Sequence, residues 1–183
     1  MKRQVLEPTR IAELLRLLGM RLNERGVQAE ITILGGAAIA LAFDSQRATD
    51  DIDAIFQPRD MVLSEVSAMA NEFGLSLDWL NDAVAFYLPQ VPDSNPRVFA
   101  EWPGITISTG SPEYLLAMKC LVSRKSPADL EDAATICDQL GIYDEHEVEQ
   151  IAKRYFPNGT FGAQELWFED IAIRAQQLRN RAI

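Results

Sequence analysis

Residues 34–56, LGGAAIALAFDSQRATDDIDAIF, carry most of the information about architecture and chemistry in this sequence. The segment Glu30-Ile-Thr-Ile-Leu34 predicts a short strand, and Gly35-Gly36 then turns the chain into a small-residue helix over 37–43. Glycine lets the backbone approach a ligand closely, and the start of the following helix offers unpaired N–H groups. Such a turn suits a phosphate group, although most Gly-Gly turns after a strand serve only to reverse the chain.

A second strand is predicted over residues 51–56, where Ile52 and its alternate neighbours form an apolar face. Asp51 and Asp53 share the opposite face, about 6–7 Å apart along the strand. Strand propensity and like-charge repulsion both disfavour this pair, which therefore indicates a nearby cation. Mg²⁺ is commonly held by one or two carboxylates together with substrate phosphates. The alternative is a solvated acidic surface.

The rest of the chain surrounds these two strands with helices. Helical periodicity is expected over 8–25 and 59–74, and short strands with loops over 75–109, which contains several prolines. From Ser111 onward the pattern predicts helices over 112–122, 127–140, 144–156 and 163–181. The fold class is therefore α+β (mixed α/β), a small mixed sheet flanked by helices with a helical C-terminal extension. Residues 1–110 would form the core and 111–183 would pack on it as one compact unit.

Composition excludes several classes of protein. Seventeen basic and 27 acidic residues among 183 give a net charge of −10, which argues against a broad nucleic-acid or anionic-membrane surface. The longest apolar stretch, Ile31–Phe43, is too short to span a membrane, and no apolar segment follows the charged N-terminus. We therefore expect a cytoplasmic protein with no membrane partner.

The few cysteines and the single histidine limit the available chemistry. Cys120 and Cys137 occupy apolar helical positions, so buried free thiols are expected, with neither a Cys-His zinc site nor a disulfide framework. His146 lies in the acidic run DEHEVE on a predicted solvated helix face, which disfavours a Ser-His-Asp triad. Catalysis would then depend on carboxylates, Lys, Arg, hydroxyls or backbone amides.

The order GG-x₁₀-R-A-T-D-D-I-D resembles the signature of the DNA polymerase β-type nucleotidyltransferase superfamily. Arg-x-Thr just before the Asp pair is similar to the minimal nucleotidyltransferases of the AbiEii type, which occur in bacterial toxin–antitoxin systems. The later run EYLLAMKCLVSRKSPADLEDAATI resembles the second sequence block of that group, a helix with Lys followed by Arg-Asp-x-x-Asp. The resemblance covers residues 31–56 and 111–140 and implies a nucleotidyltransferase-type core.

The resemblance also implies site roles. In the first block, Gly35 and Gly36 would form the phosphate turn. Asp51 and Asp53 would bind Mg²⁺. Arg47 and Thr49 would support the turn or the phosphate. In the second block, Lys119 would contact the triphosphate and Asp129 would be the acidic residue, with Asp132 following it.

The second block has simpler interpretations as well. Lys119 lies at the edge of an apolar stripe, where a surface lysine that extends its ammonium group into solvent is equally expected. Asp129 is the third residue after the predicted N-cap Ser126, and the alternative role for it is to complement the helix dipole. The alternative for Asp132 is one of the charges that helix surfaces routinely carry.

Two departures from the pattern affect the expected activity. Ala128 replaces the Arg of the second block, with Arg124 and Lys125 one turn upstream as substitutes. Active polymerase β-like enzymes also have a third carboxylate on a neighbouring strand, often the base for the acceptor hydroxyl. The candidates here are Glu101, Asp78 and Asp82. The aromatic residues of this region are expected in the core rather than on a stacking surface: Trp79, Phe86, Tyr87, Phe99 and Trp102.

The leading hypothesis is an Mg²⁺-dependent enzyme that transfers a nucleoside monophosphate from an NTP to an RNA (such as tRNA) or protein acceptor. A toxin–antitoxin or phage-defence role, with a cognate antitoxin or toxin partner, is what the resemblance suggests. One alternative is a catalytically degenerate nucleotidyltransferase that binds nucleotide or a protein partner. Another is an interaction protein whose acidic C-terminal helices dock a basic partner.

Overall fold

A computed structural model describes residues 5–43, 46–121, 125–159 and 165–181. The chain divides into two compact units, Met1–Phe86 with Pro96–Gly110, and Tyr87–Asn95 with Ser111–Ile183. Residues 87–95 thus cluster with the helical unit, whereas the sequence analysis groups them with the core. The packing of the helical part on the core stays a prediction.

The first unit is a mixed sheet flanked by helices. Its elements are α1 (Pro8–Glu24), β1 (Ala29–Ile33), α2 (Gly35–Ala42), β2 (Ile52–Gln57), α3 (Arg59–Phe73), β3 (Leu80–Asn81), β4 (Arg97–Trp102) and β5 (Ile105–Thr109). Within the described chain the strand order is β3-β2-β1-β5-β4. β1 runs antiparallel to β2 and parallel to β5, β2 is parallel to β3, and β4 is antiparallel to β5. The predicted α+β (mixed α/β) class is confirmed.

One face of this sheet forms the core of the unit. Alternate residues of the two central strands are buried, among them Ile31 and Ile33 of β1 and Ile105 and Ile107 of β5. The leucine stripe of α1 predicted from periodicity is also buried, and α1 packs against β5. In β2, Ile52, Ala54 and Phe56 are buried on the core side, which leaves Asp53 on the other face.

The second unit is helical. Its helices are α4 (Pro112–Cys120), α5 (Pro127–Leu140), α6 (Glu145–Tyr155) and α7 (Glu165–Arg181). The predicted Ser-Pro starts of α4 and α5 are confirmed, because Ser111 and Ser126 accept hydrogen bonds from the first turns of their helices. The predicted beginning of the last helix at 163 and the end of α4 at 122 lie outside the described residues.

The expected burial of the two cysteines and the expected exposure of His146 are confirmed. Cys120 and Cys137 are free and buried, and burial raises the pKa of the Cys137 thiol to about 12. His146 is exposed on α6. In the part of the chain that is described, no helix combines the length and apolarity needed to cross a membrane.

The region between α3 and β4 differs from the sequence prediction. Only β3 is a strand there, and it is followed by a 3₁₀ helix over Ala83–Tyr87. The aromatic side chains differ in exposure: Trp79 is fully buried and Trp102 half-buried, but Phe86 is 88% exposed, Tyr87 74% and Phe99 38%. The expectation that all five lie in the core is therefore wrong. A short 3₁₀ helix and a bulged strand at the sheet edge have too few neighbours to cover their side chains.

Candidate functional site

The Gly-Gly turn joins β1 to α2, and a backbone hydrogen bond connects its beginning to β2. The backbone N–H of Leu34 donates to the carbonyl oxygen of Asp53 at 2.8 Å. Gly35 has φ +60°, a left-handed conformation that glycine adopts without steric cost, and α2 begins there rather than at residue 37. A Cβ atom at position 35 would lie 2.9 Å from Oδ2 of Asp53. The absence of a side chain at Gly35 therefore lets the Asp53 carboxylate lie directly against the turn.

Gly36 faces two other residues of the predicted site. A Cβ atom there would lie 3.2 Å from a guanidinium nitrogen of Arg47 and 3.2 Å from Oγ1 of Thr49. The Arg47 guanidinium also donates to the carbonyl of Ala48. The structure thus brings Arg47 and Thr49 against the turn, where the resemblance expects them, and a phosphate contact for either residue stays a prediction.

The segment before α1 anchors this loop, which the sequence analysis did not anticipate. The N–H of Leu6 donates to the carbonyl oxygen of Thr49 at 2.7 Å, and the N–H of Thr49 donates to the carbonyl oxygen of Leu6 at 3.0 Å. Leu6 itself is buried. Pairing between a terminal segment and a loop leaves no periodic signal in the sequence.

The acidic pair sits at the beginning of β2, with both side chains half-buried. The pKa of Asp51 is raised, first because burial disfavours its charged form, and then because Asp53, Asp78 and Asp50 are negatively charged neighbours. A hydrogen bond from Asn81 acts in the opposite direction. The fold therefore holds several carboxylates together at an electrostatic cost that a bound cation would relieve.

Asn81 is a residue of the candidate site that sequence reasoning missed. It lies on β3, where it is the register partner of Asp53. Its Nδ2 donates to Oδ2 of Asp51 at 3.4 Å and to the carbonyl of Asp78 at 3.3 Å. The available signal was a polar residue directly after the buried Trp79-Leu80 pair, in the run LDWLND.

The structure separates the three candidates for a third carboxylate. Glu101 does not lie on a strand next to β2, as a third carboxylate should. Its strand β4 lies three strands from β2, about 14 Å at ~4.8 Å per strand. Asp82 is engaged by Arg59, whose Nε donates to it at 2.5 Å, and this hydrogen bond lowers the pKa of Asp82. Asp78 remains, since its negative charge acts on Asp51, and it accepts a hydrogen bond from the Ser76 hydroxyl. In the described residues, no group of three or more acidic, Cys or His side chains is arranged to hold a metal ion.

In the second unit, Lys119, Asp129 and Asp132 form a compact ion cluster. Nζ of Lys119 lies 2.7 Å from Oδ1 of Asp129 and 2.9 Å from Oδ2 of Asp132. Only 11% of the Lys119 side chain and 1% of that of Asp132 are exposed. The simple alternatives, a solvent-directed lysine and a surface Asp132, are therefore wrong, since both charges are buried where α4 packs on α5.

Asp129 also has the capping role that its position predicts. Its Oδ2 accepts hydrogen bonds from the N–H of Ser126 at 3.3 Å and from the Ser126 hydroxyl at 2.6 Å, and its own N–H donates to that hydroxyl oxygen at 3.1 Å. Burial raises the pKa of Asp129, but the hydrogen bonds from Lys119 and Ser126 outweigh it and the pKa is lowered. The capping interpretation and the pairing with Lys119 thus hold together.

Residues 10–176 match the protein family described as nucleotidyltransferase of unknown function, DUF6036. This chain belongs to that family. Comparison with curated proteins and with solved structures found no match. Membership confirms the nucleotidyltransferase superfamily inferred from the Gly-Gly turn and the Asp pair. The narrower AbiEii-type assignment stays a prediction.

At Ala128 the chain departs from the second block that the resemblance describes. Of the two proposed substitutes, Lys125 places its ammonium group 5.4 Å from the centre of the Trp167 ring, a cation–π contact, and Arg124 lies outside the described residues. Trp167 in turn donates from Nε1 to the carbonyl of Lys119 at 3.1 Å. Lys125 is therefore engaged in packing within the helical unit.

Proposed function

We propose that this nucleotidyltransferase transfers a nucleoside monophosphate from an NTP to an acceptor, with Asp51 and Asp53 as its Mg²⁺ ligands. The observation that carries the proposal is the contact between the Gly35 turn and the Asp53 carboxylate, with Asp51 beside it. A phosphate-suited turn and a hard-cation donor pair are thereby parts of one site. The donor set fits Mg²⁺, which is bound by oxygen ligands and, when present, would neutralise charge on the triphosphate and on the departing pyrophosphate.

Other groups of this chain would bind the triphosphate. α2 begins at Gly35, and the N–H groups of its first turn, which have no partner within the helix, would bind the triphosphate. The Arg47 guanidinium lies beside Gly36. These groups bind and orient the nucleotide, and most of the rate enhancement in such a reaction comes from positioning and charge stabilisation.

The chemical step joins the acceptor oxygen to the α-phosphorus while the bond from that phosphorus to pyrophosphate breaks. The acceptor hydroxyl must lose its proton in this step. Asp78 is the carboxylate we assign as proton acceptor, because the Asn81 amide bonds both its backbone carbonyl and the Asp51 carboxylate. Glu101 lies three strands from β2, and Asp82 is paired with Arg59.

The acceptor and the biological setting rest on the sequence resemblance. We propose an RNA end, such as that of tRNA, or a protein as acceptor, in a toxin–antitoxin or phage-defence system with a cognate antitoxin or toxin partner. The net charge of −10 disfavours a long RNA footprint, because binding along a polyanion depends on many phosphate contacts.

A specific observation favours a second candidate, a catalytically degenerate nucleotide-binding or partner-binding protein. Opposite Asp53, on the strand next to β2, the chain has the amide of Asn81 instead of a carboxylate. Without a competent base, nucleotide binding would survive while transfer would be slow.

The test is label transfer from each α-labelled NTP in turn, with Mg²⁺, total RNA and cell protein. Asp51→Asn/Asp53→Asn is the inactive variant, and Glu101→Gln is the matched control because it removes an acidic charge three strands from β2. Label on a macromolecule that persists in the Glu101 variant and disappears in the double variant supports the enzyme. Mg²⁺-dependent NTP binding without transfer supports the degenerate protein. Absence of both overturns the proposal.

A further inference from the structure

The Asn81 side chain is held in a single orientation at the edge of the acidic pair. Its Oδ1 accepts a hydrogen bond from the backbone N–H of Ala83 at 3.0 Å, which identifies the amide oxygen and leaves Nδ2 directed the other way. Nδ2 then bridges two groups, Oδ2 of Asp51 and the carbonyl oxygen of Asp78. Both ends of the amide are thus engaged by partners on either side of it in the chain and in space.

The backbone fixes this amide relative to the acidic strand. β3 pairs in parallel with β2, with Leu80 opposite Ile52 and Asn81 opposite Asp53. Leu80 and Ile52 are buried, so the short pairing is anchored in the core. The amide therefore reaches Asp51 from the paired neighbouring strand.

Charge explains why an amide suits this position. Asp50, Asp53 and Asp78 are negatively charged neighbours of Asp51. An asparagine supplies an N–H donor to the Asp51 carboxylate without adding a further negative charge. An aspartate of the same size would lack that donor at neutral pH and would add repulsion.

We propose that Asn81 is a positioning residue that holds the Asp51 carboxylate in its place beside Asp53. The proposal rests on the function proposed above, in which Asp51 and Asp53 bind the divalent cation. Asn81 itself acts only through Asp51, because a bound carboxylate ligand needs a partner that fixes its orientation. Loss of such a partner typically weakens metal binding by about 10- to 100-fold.

The Asn81→Asp variant distinguishes this positioning role from the main alternative interpretation. If Asn81 holds Asp51 through its N–H group, Asn81→Asp weakens cation binding at least as much as Asn81→Ala. If position 81 is instead the place of a lost catalytic carboxylate, Asn81→Asp strengthens cation binding and increases transfer. The two interpretations thus predict changes of opposite sign in the same variant.

The experiment titrates the full chain with Mn²⁺ and counts free ion by electron paramagnetic resonance, with no nucleotide or acceptor present. The variants are Asn81→Ala, Asn81→Asp and Asp51→Asn/Asp53→Asn. Asn71→Ala is the matched control, because Asn71 is exposed on α3 and its side chain donates to the Ser67 carbonyl of the same helix at 3.0 Å. Circular dichroism and thermal melting establish that each variant is folded, and Asn81→Asp preserves side-chain size should the alanine variant unfold.

We expect Mn²⁺ to bind the wild-type and Asn71→Ala proteins equally, about 10- to 100-fold more weakly to Asn81→Ala, and no better to Asn81→Asp than to Asn81→Ala. Wild-type affinity in Asn81→Ala, or tighter binding in Asn81→Asp, overturns the positioning role while the proposed function stands. Failure of the wild-type protein to bind Mn²⁺, or full binding by the double Asp variant, overturns the proposed function and the Asn81 role together.

Discussion

At the scale of single residues, the candidate site depends on how closely a backbone can approach a carboxylate. Gly35 combines a left-handed φ with a position directly against Asp53, so two independent constraints exclude a side chain there. Gly26 shares only the first constraint, because it has φ +69° but no atom of the described residues lies within 4 Å of where its Cβ would be. These two glycines separate backbone strain from contact with the acidic pair.

We therefore expect Gly35→Ala and Gly26→Ala to lose a similar amount of folding stability, about 1–3 kcal/mol, from strain at positive φ. Only Gly35→Ala should also lose binding of divalent cation and NTP, because its Cβ atom would displace the Asp53 carboxylate. Urea denaturation measures the first effect and ligand titration the second. Equal ligand binding by the two variants would show that the Gly35 contact has no part in the site.

At the scale of secondary structure elements, helix boundaries followed from local chemistry, whereas the environment of the second block did not. The Ser-Pro starts at 112 and 127 are local signals, and the structure has both helices where they were predicted. The burial of Lys119 and Asp132 arises from the packing of α4 on α5. No property of either helix alone distinguishes a buried ion cluster from two surface charges.

The ion cluster leads to a prediction about stability. Lys119→Met should destabilise the fold by about 3–5 kcal/mol, because it removes the ammonium group that lies 2.9 Å from the buried Asp132 carboxylate. In the Lys119→Met variant, Asp132→Asn should lower the free energy of unfolding much less than it does in the wild-type protein, since the two residues interact directly. Urea denaturation of the two single variants and the double variant measures this coupling. If Lys119 serves only the triphosphate, Lys119→Met would instead keep wild-type stability and lose NTP affinity.

At the scale of the whole molecule, family membership and charge narrow the function. The match over residues 10–176 includes β2, where the acidic pair lies, and also α4 and α5, which carry the second block. With 27 acidic and 17 basic residues, the chain has little capacity for sequence-independent binding to a polyanion. Any RNA acceptor should then be recognised locally, at an end or a short loop.

This charge balance predicts weak binding to random RNA. Fluorescence anisotropy with a labelled random 30-nucleotide RNA at physiological salt should give a dissociation constant weaker than about 10⁻⁴ M, the weak end of non-specific binding. The anisotropy should also change little with added salt, because few counterions are released. Micromolar binding that weakens steeply with salt would reveal a basic surface strong enough to overcome the net charge.

The features that the sequence established are those with local causes. Hydrophobic periodicity, the Gly-Gly turn, the N-caps and the alternation of Asp51 and Asp53 with buried residues depend on neighbours within a few positions. They were sufficient for the fold class, most helix bounds and the superfamily. Asp51, Asp53, Gly35 and Gly36 could be selected as the candidate site for the same reason.

Pairing between distant segments settled the remainder. Asn81 joins Asp51 because β3 lies beside β2, Leu6 holds Thr49 by two backbone hydrogen bonds, and Glu101 is excluded by the strand order. Each of these relations joins or separates residues about 30 or more positions apart. Their cost in chain entropy is met only by packing of the complete unit, so no local pattern records them.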